Sequence, residues 1–230
     1  MQGIAENIKT LRDEIHSLAI ASGRRPEEVL LIAVSKTKPA SDILTALQAG
    51  QIDFGENYAQ EFHKKNNSLL SHPMSWHFIG HLQSNKAKYV VGKSALIHTV
   101  DRLSLAKEIQ RLCEAKQIMQ DVLIEVKLAT ENTKAGCAPA DLKPLLIQIA
   151  TLSRVRVKGL MTVGSLTRNP TKTREEFRQL RILLEEINAK KIYPTPLTEL
   201  SMGMSSDYGI AIAEGATLVR IGSRIFGNRP

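Results

Sequence analysis

Lys36 follows the apolar, β-branched run Val29–Val34, at the point where a buried strand would end. Period two puts Ile32, Val34 and Lys36 on one face, so the amine takes the last inward position. Partial desolvation there lowers a lysine's pKa and makes its neutral amine available to attack a carbonyl. Near the other end of the chain, Arg220 shares a strand face with Leu218 and Gly222. An inward guanidinium needs an anionic or acceptor partner, for which Glu125, Glu199 or a ligand would serve. Gly222 and Ser223 then offer backbone N–H groups and a hydroxyl where a short helix could begin, the outline of an anion site. The segment Leu200-Ser201-Met202-Gly203 adds a second hydroxyl and a flexible backbone.

These residues need a frame that brings strand ends together. After an amphipathic leader helix over about Ile4 to Ala21, strand patterns (LLIAVS, QIDFGE, WHFIG, LIHTV, VLIEVK, VRVKGLMTV, TELSM, TLVRIG) alternate with helical ones. The helical segments include SDILTALQAG, ENYAQEFHKK, SNKAKYVVG, DRLSLAKEIQRLCEAK and TREEFRQLRILLEEINAK. Such alternation calls for a parallel sheet, and about eight βα units make a TIM (β/α)8 barrel with an extra N-terminal helix. An open doubly wound sheet would carry a Gly-rich turn after its first strand, and SKTKPAS has no glycine. No linker or short repeat divides residues 1–230, so a single domain is expected.

Barrel sites lie at the C-terminal ends of the strands, with phosphate sites recurring after the seventh and eighth. An amine for an aldehyde, an anion nest for a phosphate and an inward cation for a ring nitrogen together describe pyridoxal 5′-phosphate (PLP). A Schiff-base aldolase or an isomerase would be expected to show carboxylates at several strand ends, and Glu56 and Glu125 are few.

A net charge of +8 raises the local concentration of small anions, but the basic residues are dispersed and not interleaved with aromatics, which argues against nucleic acid. No apolar run approaches the roughly 20 residues of a membrane span. The N-terminal MQGIAENIKTLRDEIHSL builds no signal core, so a cytoplasmic protein is expected. Cys113 and Cys137 show neither CxxC nor metal spacing and read as reduced bystanders. His77 and His81 share parity in WHFIGH; an inward His77 could reach a ligand or sit as a satisfied core residue. Met202 and Met204 read as packing.

The segments LIAVSKTKP (31–39), DFGENYAQE (53–61), WHFIGHLQSNK (76–86), NTKAG (132–136), KGLMTVG (158–164) and SMGMSSDYGIAIAEGATLVRIGSRIFG (201–227) resemble those of the pyridoxal-phosphate homeostasis protein family. The resemblance spans nearly the whole chain, and its last block is the most specific. It implies a monomeric barrel similar to the N-terminal domain of alanine racemases, with PLP attached as a Schiff base to Lys36. It further implies Ser201, Gly222 and Ser223 at the phosphate, Arg220 at the ring nitrogen and Asn57 beside the cofactor. Lys134 matches a lysine that the family places near the site. Ser223 stands where many members carry threonine, which keeps the hydroxyl. The C-terminal GNRP lacks the lysine-rich tail of some members.

The same pocket can catalyse or hold. A cationic arginine at the ring nitrogen disfavours its protonation and weakens the ring as an electron sink. Racemases of this barrel type close the site with a second domain and a partner subunit, whereas this chain runs out soon after Gly227. The expected function is therefore storage, delivery or buffering of PLP without turnover, with apo-PLP enzymes as recipients. The alternatives are a PLP-dependent racemase or lyase, and a regulatory module whose partner binding follows PLP occupancy.

Overall fold

The computed structural model describes residues 3–129, 135–165, 167 and 169–227. Its strands are β1 (Leu30–Val34), β2 (Asp53–Glu56), β3 (Ser75–Phe78), β4 (Leu96–Val100), β5 (Gln120–Glu125), β6 (Val155–Met161), β7 (Glu199–Ser201) and β8 (Leu218–Ile221). They pair in parallel and in sequence order, and β1 pairs with β8, with Ile32 opposite Arg220, to close the barrel. The expected TIM barrel is thus present, each strand falling on the segment assigned to it.

The helices are α1 (Ile4–Ala21), α2 (Ala40–Gln48), α3 (Ala59–Ser68), α4 (Leu103–Lys116), α5 (Pro139–Ile149), α6 (Pro170–Ala189), α7 (Tyr208–Ala213) and α8 (Ser223–Phe226). The leader α1 buries Ile8, Leu11, Ile15 and Ala19, the i, i+3, i+4 stripe of an amphipathic helix. It packs against α2, α7 and α8 and so covers the seam between β8 and β1. The segment SNKAKYVVG departs from the helical expectation: Ser84–Tyr89 forms a 3-10 helix. Ala87 is its only buried residue, too little apolar surface to hold a longer α-helix against the barrel.

Outward strand residues such as Phe54, Trp76, Phe78 and Ile97 pack with the helices into one large apolar shell, which includes the free Cys113 and Cys137. Inside the barrel the apolar layer is small: Ile32, Leu96, Leu123, Met161 and Leu218, with Val163 against them. The remaining inward positions carry His77, His98, Glu125, Ser201 and Arg220, all buried. Buried polar groups are costly unless bonded, so the barrel interior demands partners for each. No helix among the described residues is long and apolar enough to cross a membrane.

Candidate functional site

β1 ends at Val34, and the chain turns through Ser35, Lys36 and Thr37. Thr37 adopts φ 65°, a left-handed conformation that costs a non-glycine residue about 1 kcal/mol or more and needs outside support. Support comes from the Thr37 N–H donating to Glu61 Oε1 at 2.6 Å and the Lys38 N–H donating to the Ser35 carbonyl at 3.0 Å. Ser35 is itself pinned, since its hydroxyl donates to Glu56 Oε1 at 2.7 Å and its carbonyl accepts from Lys65 Nζ at 2.7 Å. Lys65 also reaches Glu56 Oε1 and Glu61 Oε1, each at 2.7 Å. Burial pushes the Glu56 carboxyl above the usual range, and the Lys65 ammonium pulls it back. Four charged or hydroxyl side chains, Ser35 of the turn itself, Glu56 of β2 and Glu61 and Lys65 of α3, therefore fix the turn that carries Lys36.

Opposite this turn, β8 runs through Arg220 and Ile221 into Gly222 and the short helix α8. The first N–H groups of such a helix have no carbonyl partner within it. Its far end is held by Lys38 Nζ, which donates to the Phe226 carbonyl at 2.9 Å. From α1, Asn7 Nδ2 donates to the Ile225 carbonyl at 2.9 Å, and Glu14 receives the Arg224 guanidinium at 2.6 and 2.7 Å. The Tyr208 hydroxyl joins Glu14 and Arg224, and burial with the Glu14 bond pushes it up to about 12.

Between these two ends lies a cleft of about 450 Å³ at the C-terminal mouth of the barrel. Lys36, Asn57, Arg220, Gly222 and Ser223 all line it, together with Lys38, Ser205, Ser206 and Met204. Asn57 is placed by the close approach of Gly80: a Cβ on residue 80 would stand 2.1 Å from the Asn57 carbonyl oxygen. Asn57 Oδ1 is buried and has no hydrogen-bond partner among the described residues. The lining contains no carboxylate, imidazole, phenol or thiol among the described residues.

Arg220 is buried at the base of the cleft, its Nη1 donating to Ser201 Oγ at 2.5 Å and its Nη2 to the Thr162 carbonyl at 2.8 Å. Burial pushes its pKa down to about 10, with Glu125 and Asp207 favouring the charge, so the guanidinium is cationic at neutral pH. Glu125, one of the two partners expected for it, acts through its field, and its buried Oε2 has no hydrogen-bond partner among the described residues. Burial and the Asp101 charge push Glu125 up to about 7, against the pull of Arg220. Glu199, the other, instead accepts from the Thr217 hydroxyl at 2.7 Å.

Ser201 departs from its expected place. It is wholly buried beneath Arg220, bonded also to His98 Nδ1 at 2.8 Å, and does not line the cleft. The reason is depth: β7 ends at Ser201, an inward position still inside the barrel, and the chain needs the turn at Gly203 before it reaches the rim. Gly203 has φ 90°, and a Cβ there would lie 2.5 Å from Ala211 Cβ. Ser205 and Ser206, just past that turn, are the hydroxyls of the seventh strand's loop that face the cleft. His77 likewise sits below the cleft, bonded to His98 and Asp53, while His81 is half-exposed and 3.9 Å from Asp101. Lys134 lies outside the described residues.

The alanine racemase N-terminal domain family matches residues 2–230. Pyridoxal phosphate homeostasis proteins of Aquifex aeolicus and Pseudomonas aeruginosa are 43% and 42% identical to the chain, over 97% and 100% of it and 97% of each relative. The chain belongs to the pyridoxal phosphate homeostasis protein family. PipY of Synechococcus elongatus PCC7942, solved with PLP bound, superposes with a TM-score of 0.86 at 39% identity, over 97% of this chain and all of PipY. An alanine racemase of Clostridium difficile shares the fold alone, with a TM-score of 0.72 at 13% identity over 56% of its length.

Within the homeostasis family frame, five of the six residues expected at the site share one cleft, and the sixth supports it from below. Sequence reading missed Lys38, Ser205 and Ser206 as lining residues and Lys65 as the brace of the Lys36 turn. The sequence SKTK did announce a second lysine two residues from the first, and MSS two hydroxyls past Gly203. Both fall in loops, where strand parity no longer says which way a side chain points.

Proposed function

We propose that this chain binds PLP in the cleft and holds it for storage, delivery or buffering, without turnover of its own. The observation that carries the reading is the convergence of Lys36, Arg220, Gly222 and Ser223 from the two strands of the closing seam into one 450 Å³ cleft. Lys36 would take the cofactor's aldehyde, Gly222 and Ser223 its phosphate, and Arg220 would face its ring nitrogen. Asn57 Oδ1 offers an acceptor to the ligand's edge, which fits an otherwise unpartnered buried oxygen. Lys38, Ser205 and Ser206 extend the phosphate's surroundings with one more cation and two hydroxyls.

When bound, PLP supplies an electron sink for carbanions at an amino acid's α-carbon. The chain's own residues oppose that use. Arg220 is a permanent cation, so it disfavours a proton on the ring nitrogen. Among the described residues the lining holds lysines but no carboxylate, imidazole, phenol or thiol to pair as acid and base, and Tyr208 is turned away onto Glu14 and Arg224. A cytoplasmic monomer that hands PLP to apo-enzymes is the role this chemistry supports.

The test is the visible spectrum of the purified protein, then borohydride reduction and peptide mapping, for wild type and Lys36→Ala. A coloured wild type with a pyridoxyl group on the Lys36 peptide, lost in the variant, is expected. Colourless protein that cannot be loaded with PLP would overturn the binding reading. Racemisation or decarboxylation of a common amino acid at about 1 s⁻¹ or faster would overturn the holder reading in favour of an enzyme.

A further inference from the structure

Beneath the cleft, side chains from five strands, four of them buried and Asp53 partly exposed, form a continuous line through the barrel. Arg220 Nη1 reaches Ser201 Oγ at 2.5 Å, Ser201 Oγ lies 2.8 Å from His98 Nδ1, His98 Nε2 lies 3.0 Å from His77 Nδ1, and His77 Nε2 lies 3.1 Å from Asp53 Oδ1. None of Ser201, His98, His77 or Asp53 lines the cleft. His77 instead borders a cavity at the opposite mouth of the barrel, beside Asp121, Lys158 and Glu199.

We infer that Asp53, His77, His98 and Ser201 are a positioning relay for Arg220, a one-way line of hydrogen bonds that sets the guanidinium at the floor of the cleft from the far mouth of the barrel. This inference rests on the reading of Arg220 as a PLP contact.

The chemistry of the two ends fixes the direction. A guanidinium has no acceptor, so Ser201 Oγ must accept from Arg220. A carboxylate has no donor, so the proton between Asp53 and His77 belongs to His77 Nε2. Where His77 carries only that one proton, its Nδ1 must accept from His98 Nε2–H. His98 is fully buried beside His77 and Arg220, and its pKa lies well below the ordinary value, so it too carries a single proton. Its Nδ1 then accepts from the Ser201 hydroxyl. With one proton on each imidazole every donor meets one acceptor, and reversing any single bond would set two donors or two acceptors face to face. The other guanidinium nitrogen is fixed by the Thr162 carbonyl, so Arg220 has no rotational freedom left in its plane.

The test uses the full chain, first without cofactor. At pH 8 the imidazole nitrogen resonances of ¹⁵N-labelled protein should show both His77 and His98 protonated on Nε2. Asp53→Ala should move the resonances of His98 as well as those of His77. In protein loaded with PLP, Asp53→Ala should shift the cofactor's absorption band and speed PLP release about tenfold, the effect of one lost hydrogen bond at the contact. Asp53→Asn, which keeps an acceptor oxygen for His77, should restore most of the wild-type behaviour. A wild-type His98 protonated on Nδ1, or an Asp53→Ala variant whose His98 resonances do not move, would overturn the relay. So would unchanged release in a loaded variant. If wild type takes up no PLP, the binding reading fails and the relay is judged on the two histidine tautomers alone.

Discussion

At the Lys36 end of the cleft the bracing charges are buried, whereas at the Ser223 end they face water. The Glu56 and Lys65 side chains are 0% and 11% exposed, against 35% and 38% for Glu14 and Arg224. A buried pair is a poor source of net stability but a strong constraint, because removing one partner leaves the other desolvated and alone. An exposed pair contributes about 1 kcal/mol at most and weakens with salt. The amine end is thus held rigidly by charges that ions cannot reach, and the anion end by a compliant brace from the leader helix.

The sharpest way to break this contrast is Lys65→Met. It strands the Glu56 carboxylate and should cost about 3–5 kcal/mol in denaturant unfolding, with a fall in Tm of roughly 10 °C. The double variant Lys65→Met/Glu56→Gln should recover most of the loss, which a cycle of the four proteins would measure. A loss no larger than that of a surface pair would erase the distinction between the two ends.

Glu125, between the ends, tests the barrel interior by pH. Its folded pKa of about 7 is raised above the unfolded value, so the fold favours its neutral form. That contribution is fully present below about pH 4.5 and is lost as pH rises through 7. Glu125→Gln does not titrate, so it should gain on wild type across that window, by about 3 kcal/mol at pH 8. Unfolding curves at pH 5 and pH 8 for the two proteins give the comparison, and a gap that does not widen with pH would contradict it.

The smallest effect belongs to the exposed brace. Glu14→Gln should cost about 0.5–1 kcal/mol at low ionic strength and almost nothing at 1 M salt. If the cost persists in salt, the anion end is held as firmly as the amine end.

The barrel was legible because parallel strands buried on both faces must be apolar runs, and eight such runs stand between helical segments. Strand parity sufficed for Lys36 and Arg220, whose inward neighbours Ile32 and Leu218 belong to the inner core. It failed for Ser201 because parity gives the face of a strand but not its height, and β7 is only three residues long. Lys65 was invisible for another reason. In a polar helix such as α3 a lysine reads as solvated, and its burial depends on Ser35 and Glu56, which reach it from other segments. An inward His77 was open to strand parity, but His98 beside it was not, since that depends on the register between β3 and β4.

Lys38 donates across to Phe226, 188 residues away in sequence, at the seam where β1 meets β8. Contacts of such separation are entropically expensive and slow to form, so closure of this seam is expected late in folding. A ligand gripped from both sides of it would act as a staple on the ring. At a free concentration a hundredfold above its Kd it would add about 2.7 kcal/mol to the closed state. Occupancy of the cleft would then govern how long the protein itself survives proteolysis, and emptied molecules would be the ones cleared.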